Sequence, residues 1–519
     1  TGSPGSTRSA TCSAPTPARS RERRPLVFDA TEPTLFLDYF RVPYRPLDGS
    51  VPLWPTLAST HPLQDCGVIA NPIEGGPERR LVWATRHALA AHGVKPCVSD
   101  LESIPLFAAV LGDDVASDWL NEAPGRWAPR FPLLDARGQA FSSVWQDEVS
   151  GSFFLPFDPA EAIEAYWSEA YKLVAASTTT RIRTRASSAY YRLRPAIPRP
   201  VQIALRRLAS RLQARSSFPR WPLETGLHDL YELLFGLLGE VAEQPIPWIA
   251  PWPNTYSWAL VLTHDVETAL GYEQLDLLRD VEVERGRRSS WNFVPCRYDV
   301  DDEVVRQLTH DGFEVGVHGV HHDGRDVEPA FVAERRPAMA AAAARWGASG
   351  FRAPATRRVW HVMPTLGFDY DSSYPDTDPF EPDGGGCCTW LPFFNDGTVE
   401  LPITLTQDHT LFQILRQHDE SMWISKAEEL RQRGGLALLI THPDYMLEAE
   451  PREAYAHFLD ALADDETVWS ALPREVSSWW RRRAASRLER IDGRWEIVGP
   501  AAGEGRVAFA PVYAGRPTS

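Results

Sequence analysis

The sequence of 519 residues contains no run approaching the roughly 18 uninterrupted apolar residues that a membrane-spanning helix requires. It has only six cysteines, none in a Cys-x-x-Cys or Cys/His ligand spacing, so neither a disulfide scaffold nor a cysteine metal site is indicated. Positive charge is scarce as well. With 53 Lys and Arg against 69 Asp and Glu, the net charge is −16, and nucleic acid is not expected as a partner.

The first residues of the chain, 1–24, lack the apolar core of a secretory signal and are rich in Ser, Thr, Pro and Arg. This composition predicts a disordered segment. We therefore expect a cytoplasmic protein, or one associated with the cytoplasmic membrane, although the sequence does not begin with Met and its true start is left open.

One block of the sequence departs from the overall acidity. Residues 170–223 hold one lysine, eleven arginines and no carboxylate. Within this block, a predicted Arg-rich helix at 199–215 places Val201, Leu205, Leu208 and Leu212 on one face and its arginines on the other. Such a helix can contact an anionic surface or membrane, or it can pack its apolar stripe on the next domain; both interpretations stay open.

The length of 519 residues predicts two to four domains, and a hydrophobic content of 43% is ordinary for a globular protein. From about residue 252, short apolar runs alternate with helical stretches, which predicts parallel βα units and an α/β fold. Helices are expected near 270–286, 301–310, 328–346, 357–365 and 423–433. The predicted organisation is a disordered segment 1–24, an α+β domain 25–170, an Arg-rich helical connector with a Pro/Trp-rich linker 171–251, a catalytic domain 252–465 and a C-terminal helix and β extension 466–519.

Histidines follow the apolar run 313–317 of this alternating region. His318 and His322 lie four residues apart, so that one turn of helix or a tight loop can direct both rings at a single cation. Neutral imidazole is the commonest metal ligand, although many histidines only satisfy hydrogen bonds in a core. His321 competes as a ligand, but it points away if the other two rings converge.

Carboxylates follow the apolar run 258–263. Asp265 and Glu267 are two residues apart at the end of a predicted strand, so both side chains can project to the same side. One can bind a metal while the other holds an attacking water, and two histidines with one carboxylate leave coordination positions open for water and substrate. The alternative is an exposed loop that leads into a helix N-terminus.

Two more polar residues follow predicted strands in the same region. Arg352 comes after a short strand, where it can orient a carboxylate through a paired contact, and His442 follows the apolar run 436–441. Enzymes built from βα units carry their chemistry at the C-terminal ends of strands. Together with the histidines and carboxylates above, which suit a divalent metal, these positions predict a metal-dependent hydrolase.

The ordered motifs Thr263-His-Asp-Val-Glu267, His318-x-x-x-His322-Asp323, Phe351-Arg-Ala-Pro354, Gly367-Phe-Asp-Tyr-Asp-Ser-Ser373 and Leu439-Ile-Thr-His442 resemble the five motifs of the NodB-homology polysaccharide deacetylases. The resemblance covers roughly residues 252–445. It implies a distorted (β/α) barrel and metal-dependent hydrolysis of acetyl groups on sugars, with Zn²⁺ or another divalent transition metal as cofactor and an acetylated sugar or glycan as substrate.

The resemblance also implies roles for individual residues. Glu267, His318 and His322 match metal ligands. Asp265 matches the catalytic base, Arg352 the arginine that positions it, His442 the general acid, and Asp371 a carboxylate that tunes this histidine. A backbone N–H near Tyr374 is expected to stabilise the oxyanion, and Asp408 to contact substrate.

The first motif departs from the family pattern, because Val266 stands where the family usually has a metal-binding aspartate. The chain resembles a variant with the acid one place further on, which assigns the ligand to Glu267. Two alternatives to a sugar N-deacetylase stay open. The first is a C–N hydrolase of small non-sugar amides, and the second is a catalytically degenerate barrel that binds carbohydrate.

Overall fold

The computed structural model describes residues 26–48, 52–71, 78–175, 218–381 and 383–510. The segment 1–24 predicted to be disordered and the Arg-rich helix expected at 199–215 both lie outside these described residues. Among the described residues, no helix is both long and apolar enough to cross a membrane.

The N-terminal part is built on a mixed sheet of nine strands in the order β2-β1-β3-β4-β9-β8-β7-β5-β6. The strands are β1 (Phe28–Ala30), β2 (Tyr44–Pro46), β3 (Gly67–Asn71), β4 (Arg79–Trp83), β5 (Pro96–Leu101), β6 (Ile104–Ala109), β7 (Trp127–Leu134), β8 (Ala140–Asp147) and β9 (Phe153–Leu155). The helices of this part are Leu35–Phe40, Arg86–Ala91, Asp113–Asn121, Pro159–Trp167 and Tyr171–Val174.

The helix Pro159–Trp167 has a capping residue and a proline at its start. Asp158 caps it by accepting the N–H of Ala160 at 2.9 Å, and Pro159 occupies the first turn, where its missing N–H costs no hydrogen bond. The helical region is interrupted at Glu169, whose backbone is left-handed with φ of 58°. The chain therefore forms two short helices here, Pro159–Trp167 and Tyr171–Val174.

A long apolar helix, Gly226–Ala242, connects the two parts of the molecule and is buried around most of its circumference. It packs against β3, β4 and β6 of the N-terminal sheet. This burial explains why most of its residues are apolar or glycine. Strand β10 (Ile246–Ile249) follows it.

The second part is an α/β unit whose sheet has the order β16-β17-β15-β14-β13-β12-β11-β18, with β19 paired to β11. Its strands are β11 (Trp258–Val266), β12 (Ser290–Phe293), β13 (Glu314–Val317), β14 (Gly350–Phe351), β15 (Tyr370–Asp371), β16 (Phe393–Asn395), β17 (Thr398–Glu400), β18 (Leu436–Thr441) and β19 (Val468–Ser470). All neighbours pair in parallel except β16 and β17.

The sheet curls and closes through an irregular segment after β17. Ile403 forms a parallel bridge with Pro375, and Leu405 N–H donates to Leu438 O of β18 at 3.0 Å. The two ends of the sheet are thereby joined without a regular strand, so the α/β sheet forms a barrel with one distorted seam.

The helices around this barrel are Ala269–Glu273, Asp276–Glu284, Asp302–His310, Val332–Trp346, Ser421–Gln432 and Ala449–Ala461. One expected helix is wrong: residues 357–365 form only the end of a loop and a short 3₁₀ turn at Met363–Leu366. Pro364 lies in the first turn of this 3₁₀ helix, where its missing N–H costs no hydrogen bond, whereas near the end of a helix 357–365 it would remove one.

The C-terminal region contains the helix Pro473–Ala484 and strands β20 (Arg487–Ile491), β21 (Arg494–Val498) and β22 (Val507–Ala510). Strands β20 and β21 pair with each other, and β22 pairs with β10. The catalytic domain is predicted to span residues 252–465. Because β19 pairs with β11, the barrel sheet continues past residue 465.

The N-terminal part and the barrel share one hydrophobic core. The ring of Trp167 stacks on that of Phe393 of β16, with centroids 5.0 Å apart and planes at 9°. Tyr39 donates its hydroxyl to Pro392 O at 3.0 Å, and its own carbonyl accepts from Arg483 Nη1 at 2.8 Å. The two parts are therefore packed against each other through apolar and polar contacts.

Candidate metal centre and active site

The C-terminal ends of β11, β13, β14 and β18 meet at one end of the barrel. Asp265 lies near the end of β11, His318 directly follows β13, Arg352 follows β14 and His442 follows β18. Parallel strands bring these chain positions, up to 177 residues apart, to the same edge.

Three side chains converge as a potential ligand set. The ligand atoms of Glu267, His318 and His322 all lie within 4.8 Å of one another. The closest pair is Glu267 Oε1 and His322 Nε2, which are 3.0 Å apart. Among the described residues, this is the one group of at least three His, Cys, Asp or Glu side chains with metal-binding spacing.

A tight loop, not a helical turn, brings the two histidines together. Gly319 has φ of 66° and His322 has φ of 55°, both in the left-handed region. A Cβ on residue 319 would come within 2.7 Å of Asp326 and Pro354, so only glycine fits there. His321, the competing candidate, is exposed and does not belong to the cluster.

The orientation of His318 suits metal binding. Its Nδ1 lies 3.0 Å from Arg352 O, while its buried Nε2 has no hydrogen-bond partner among the described residues. A carbonyl partner fixes the tautomer in which Nδ1 carries the proton and Nε2 offers its lone pair. Burial lowers the pKa of His318 to about 4, against the raising effect of Asp265, so the ring is neutral at pH 7.

Glu267 completes the set as an anion. Burial raises the pKa of its carboxyl, but the interaction with His322 holds this pKa well below its usual range. Two imidazoles and one carboxylate form a donor set that divalent transition metals such as Zn²⁺ accept, with positions left open. The residues present therefore fit the expected cofactor.

Asp265 lies beside this cluster and is held by neutral and cationic donors. Asn292 Nδ2 donates to Oδ1 at 2.8 Å, Arg352 Nη1 lies 3.5 Å from Oδ2, and His318 Nε2 lies 3.9 Å from the same oxygen. Burial raises the pKa of Asp265, but its interactions with His318, Arg352 and His442 outweigh this effect, and the pKa falls below its ordinary value. Asp265 is thus a buried, oriented carboxylate.

Arg352 is fixed in turn by the barrel. Its Nη2 donates to Ser372 Oγ at 2.9 Å and lies 3.3 Å from Thr263 Oγ1. The side chain is almost fully buried, with 1% exposed. The guanidinium therefore places a permanent positive charge next to Asp265, as the sequence suggests, although with one nitrogen and not a bidentate pair.

His442 also borders the cluster, with its Nε2 3.8 Å from Glu267 Oε1. Its partner is Asp408, which accepts from His442 Nδ1 at 2.6 Å and from the His442 backbone N–H at 2.7 Å. Burial lowers the pKa of His442, but the charge and hydrogen bond of Asp408, followed by the charges of Glu267 and Asp265, raise it to about 10.

Two expectations about carboxylates are therefore wrong. The acid beside His442 is Asp408 and not Asp371, and Asp408, with no exposed side-chain surface, is not placed to contact substrate. The reason is topological: the segment after β17 closes the barrel next to β18, which brings residue 408 to residue 442.

Asp371 has a different partner. It accepts from Ser373 Oγ at 2.6 Å and forms a hydrogen-bonded pair with Glu400, in which burial raises the pKa of both carboxyls. Glu400 Oε1 also accepts the backbone N–H of Tyr374 at 2.9 Å. The amide expected to stabilise an oxyanion is thus occupied by Glu400, which corrects that assignment.

Three neighbours of the site were not predicted from the sequence: Asn292, Glu400 and Tyr445. Of these three, only Asn292 has a sequence feature that could have indicated it. It lies in the buried strand Ser290–Phe293, and a buried amide side chain is costly unless it forms hydrogen bonds. Tyr445 donates to Glu267 Oε2 at 3.0 Å from 178 residues further along the chain, a pairing that no local pattern predicts.

No protein-family model and no curated protein matches the chain. Among solved structures, it is similar to a putative polysaccharide deacetylase from Mycobacterium smegmatis (19% identity, TM-score 0.37, covering 44% of this chain and 92% of that one). It is also similar to Puue allantoinase (17% identity, TM-score 0.37, covering 45% of this chain and 93% of that one). A third similar structure is a probable polysaccharide deacetylase from Pseudomonas aeruginosa PAO1 (17% identity, TM-score 0.35, covering 47% of this chain and 97% of that one). At such identities and TM-scores, the function proposed below rests on the geometry of the site itself.

Proposed function

We propose that this chain is a metal-dependent deacetylase that removes N-acetyl groups from a glycan containing N-acetylhexosamine, or from its precursor. The observation that carries the proposal is the convergence of Glu267, His318 and His322, with Asp265 and His442 beside them. Hydrolysis of an amide bond to a sugar amine needs an activated water and a proton donor, and Asp265 and His442 are groups suited to these two roles.

The ligand set would hold Zn²⁺ or a similar divalent ion, which supplies a Lewis acid that activates water and polarises an amide carbonyl. Asp265 accepts the proton of the attacking water, and Asn292 and Arg352 keep its carboxylate oriented and anionic. His442, protonated through its contact with Asp408, donates to the departing amine, which is otherwise a very poor leaving group.

The burial of the acid and base favours a second candidate. The side chains of Asp265, His318 and His442 are only 5%, 2% and 4% exposed. Side chains with so little exposed surface suit a small linear or cyclic amide as well as a terminal sugar, so a C–N hydrolase of small non-sugar amides is the alternative.

The first test changes one proposed ligand. His318→Ala removes an imidazole that no other donor replaces, so we expect bound metal to be lost and turnover to fall by at least about 10³-fold. His321→Ala is the matched control, because that ring is exposed and outside the cluster. Elemental analysis and acetate release from N-acetylglucosamine oligomers give the two readouts.

The outcomes separate the candidates. Acetate release with stoichiometric metal supports the deacetylase, whereas turnover confined to ureides or simple amides supports the alternative. Unchanged activity in His318→Ala would contradict a metal hydrolase altogether, and carbohydrate binding without turnover would indicate a degenerate barrel.

A further inference from the structure

The position of Glu267 raises a specific problem for a metal ligand. It lies one residue beyond the end of β11, and its side chain has one more rotatable bond than aspartate, so it loses more conformational freedom when it is fixed. A ligand in this position therefore requires neighbours that hold both its backbone and its carboxylate. The turn that follows β18 supplies these contacts.

The backbone of Glu267 is held by Asp444. Asp444 Oδ2 accepts the Glu267 N–H at 3.1 Å, and its other oxygen accepts the hydroxyl of Thr268. Gly271 makes room for this carboxylate, since a Cβ there would approach Asp444 Oδ2 to 2.3 Å. The chain immediately after β11 is thus anchored to the turn Pro443–Tyr445.

The carboxylate of Glu267 is held by Tyr445. The hydroxyl donates to Oε2 at 3.0 Å, while Oε1 faces His322 Nε2 at 3.0 Å. The two oxygens are therefore differentiated: one is bound by tyrosine and the other points to the histidines. The hydrogen bond selects one rotamer of a long side chain.

The ring of Tyr445 is itself fixed. Its centroid lies 5.1 Å from that of His442 at 66°, and 4.8 Å from that of His409 at 53°. Tyr445 N–H also donates to His442 O at 2.9 Å, so the turn connects it directly to the candidate acid. Its hydroxyl is consequently presented by a rigid support.

We propose that Tyr445 is a positioning residue that orients Glu267 as a metal ligand and so allows this chain to function with valine at position 266. The inference rests on the proposed function, because it presumes that Glu267 binds the ion. Outer hydrogen-bond partners of metal ligands contribute roughly 10–100-fold to metal affinity.

The experiment measures Zn²⁺ affinity of the metal-stripped, full-length protein by competition with a chromogenic chelator, a readout that does not depend on turnover. Tyr445→Phe removes only the hydroxyl, and we expect it to weaken Zn²⁺ binding by roughly 10–100-fold. Tyr44→Phe is the matched control, since that hydroxyl also donates to a carboxylate, Asp38, at 3.0 Å but lies in the N-terminal sheet.

A second background shows whether Tyr445 acts through Glu267. In Glu267→Ala, the further change Tyr445→Phe should alter the remaining Zn²⁺ affinity by less than about twofold, because the two residues form one unit. The Tm of Tyr445→Phe without Zn²⁺ should match that of the wild type, which excludes a merely structural role.

The failures are distinguishable. If the wild type binds Zn²⁺ and Tyr445→Phe binds it within about twofold, the positioning role is overturned and the proposed function stands. If the wild type binds neither Zn²⁺ nor another divalent transition metal, the proposed function falls, and the positioning role falls with it.

Discussion

At the scale of single residues, the protonation of His442 depends mainly on one neighbour, Asp408. The imidazole is buried, and burial disfavours its cationic form, yet Asp408 reverses the balance and raises the pKa of His442 to about 10. A group with a raised pKa carries its proton below that pKa and loses it as the pH rises through it. An acid of this kind stays cationic at neutral pH until it donates.

Asp408→Asn tests this assignment. Removal of the charge should lower the pKa of His442, so the alkaline limb of the kcat–pH profile should move to lower pH by roughly 1–3 units. Asp323→Asn is the control, because Asp323 pairs with Arg335 and does not contact His442. An alkaline limb that stays in place would show that His442 is not the group that titrates there.

At the scale of elements, the alternation of strand β11 decides which side chains reach the site. Asp265 and Glu267 project to one side, whereas Val266 between them is fully buried in the hydrophobic core. The valine is therefore a core residue, and the acid one place further on serves at the site.

Val266→Asp should consequently destabilise the protein without adding a ligand. A carboxylate in this apolar position has no partner, so we expect the free energy of unfolding to fall by at least about 3 kcal/mol in urea titrations. Val283→Asp, at a position 45% exposed on a helix, should change it by less than about 0.5 kcal/mol. A stable Val266→Asp protein with stronger Zn²⁺ binding would contradict this account of the strand.

At the scale of the whole molecule, a buried ion pair fastens the N-terminal part to the barrel. Arg358 donates from Nε and Nη2 to the two oxygens of Glu169 at 2.7 and 2.6 Å, and their side chains are 1% and 7% exposed. Tyr171, two residues along, donates its hydroxyl to Gly386 O at 2.9 Å. The loops of the barrel are thus supported from outside it.

Glu169→Gln should leave the guanidinium of Arg358 buried without its main counter-charge. We expect a loss of about 3–5 kcal/mol in the free energy of unfolding, measured by chemical denaturation. Glu164→Gln removes the equivalent partner of Arg86 in an exposed pair, 2.7 Å apart, and should cost less than about 1 kcal/mol. Equal effects would show that the Arg358 pair does not fasten the two parts.

Local sequence is enough to predict the strands of the barrel and the polar side chains at their C-terminal ends. The apolar runs before Asp265, His318 and His442 form β11, β13 and β18, and the side chains that follow them meet, because parallel strands end at one edge. The helix expected at 357–365 does not form, and Pro364 lies instead in the first turn of a short 3₁₀ helix.

Only the tertiary structure decided the partners of those side chains. Asp408 reaches His442 across 34 residues and Tyr445 reaches Glu267 across 178, through a distorted barrel seam and a turn that carry no distinctive pattern. The same packing pairs the carboxyl of Asp371 with that of Glu400 through a hydrogen bond. Hydrogen-bond partners depend on distances of a few ångströms between chain segments that are remote in sequence, and only the packing of those segments fixes such distances.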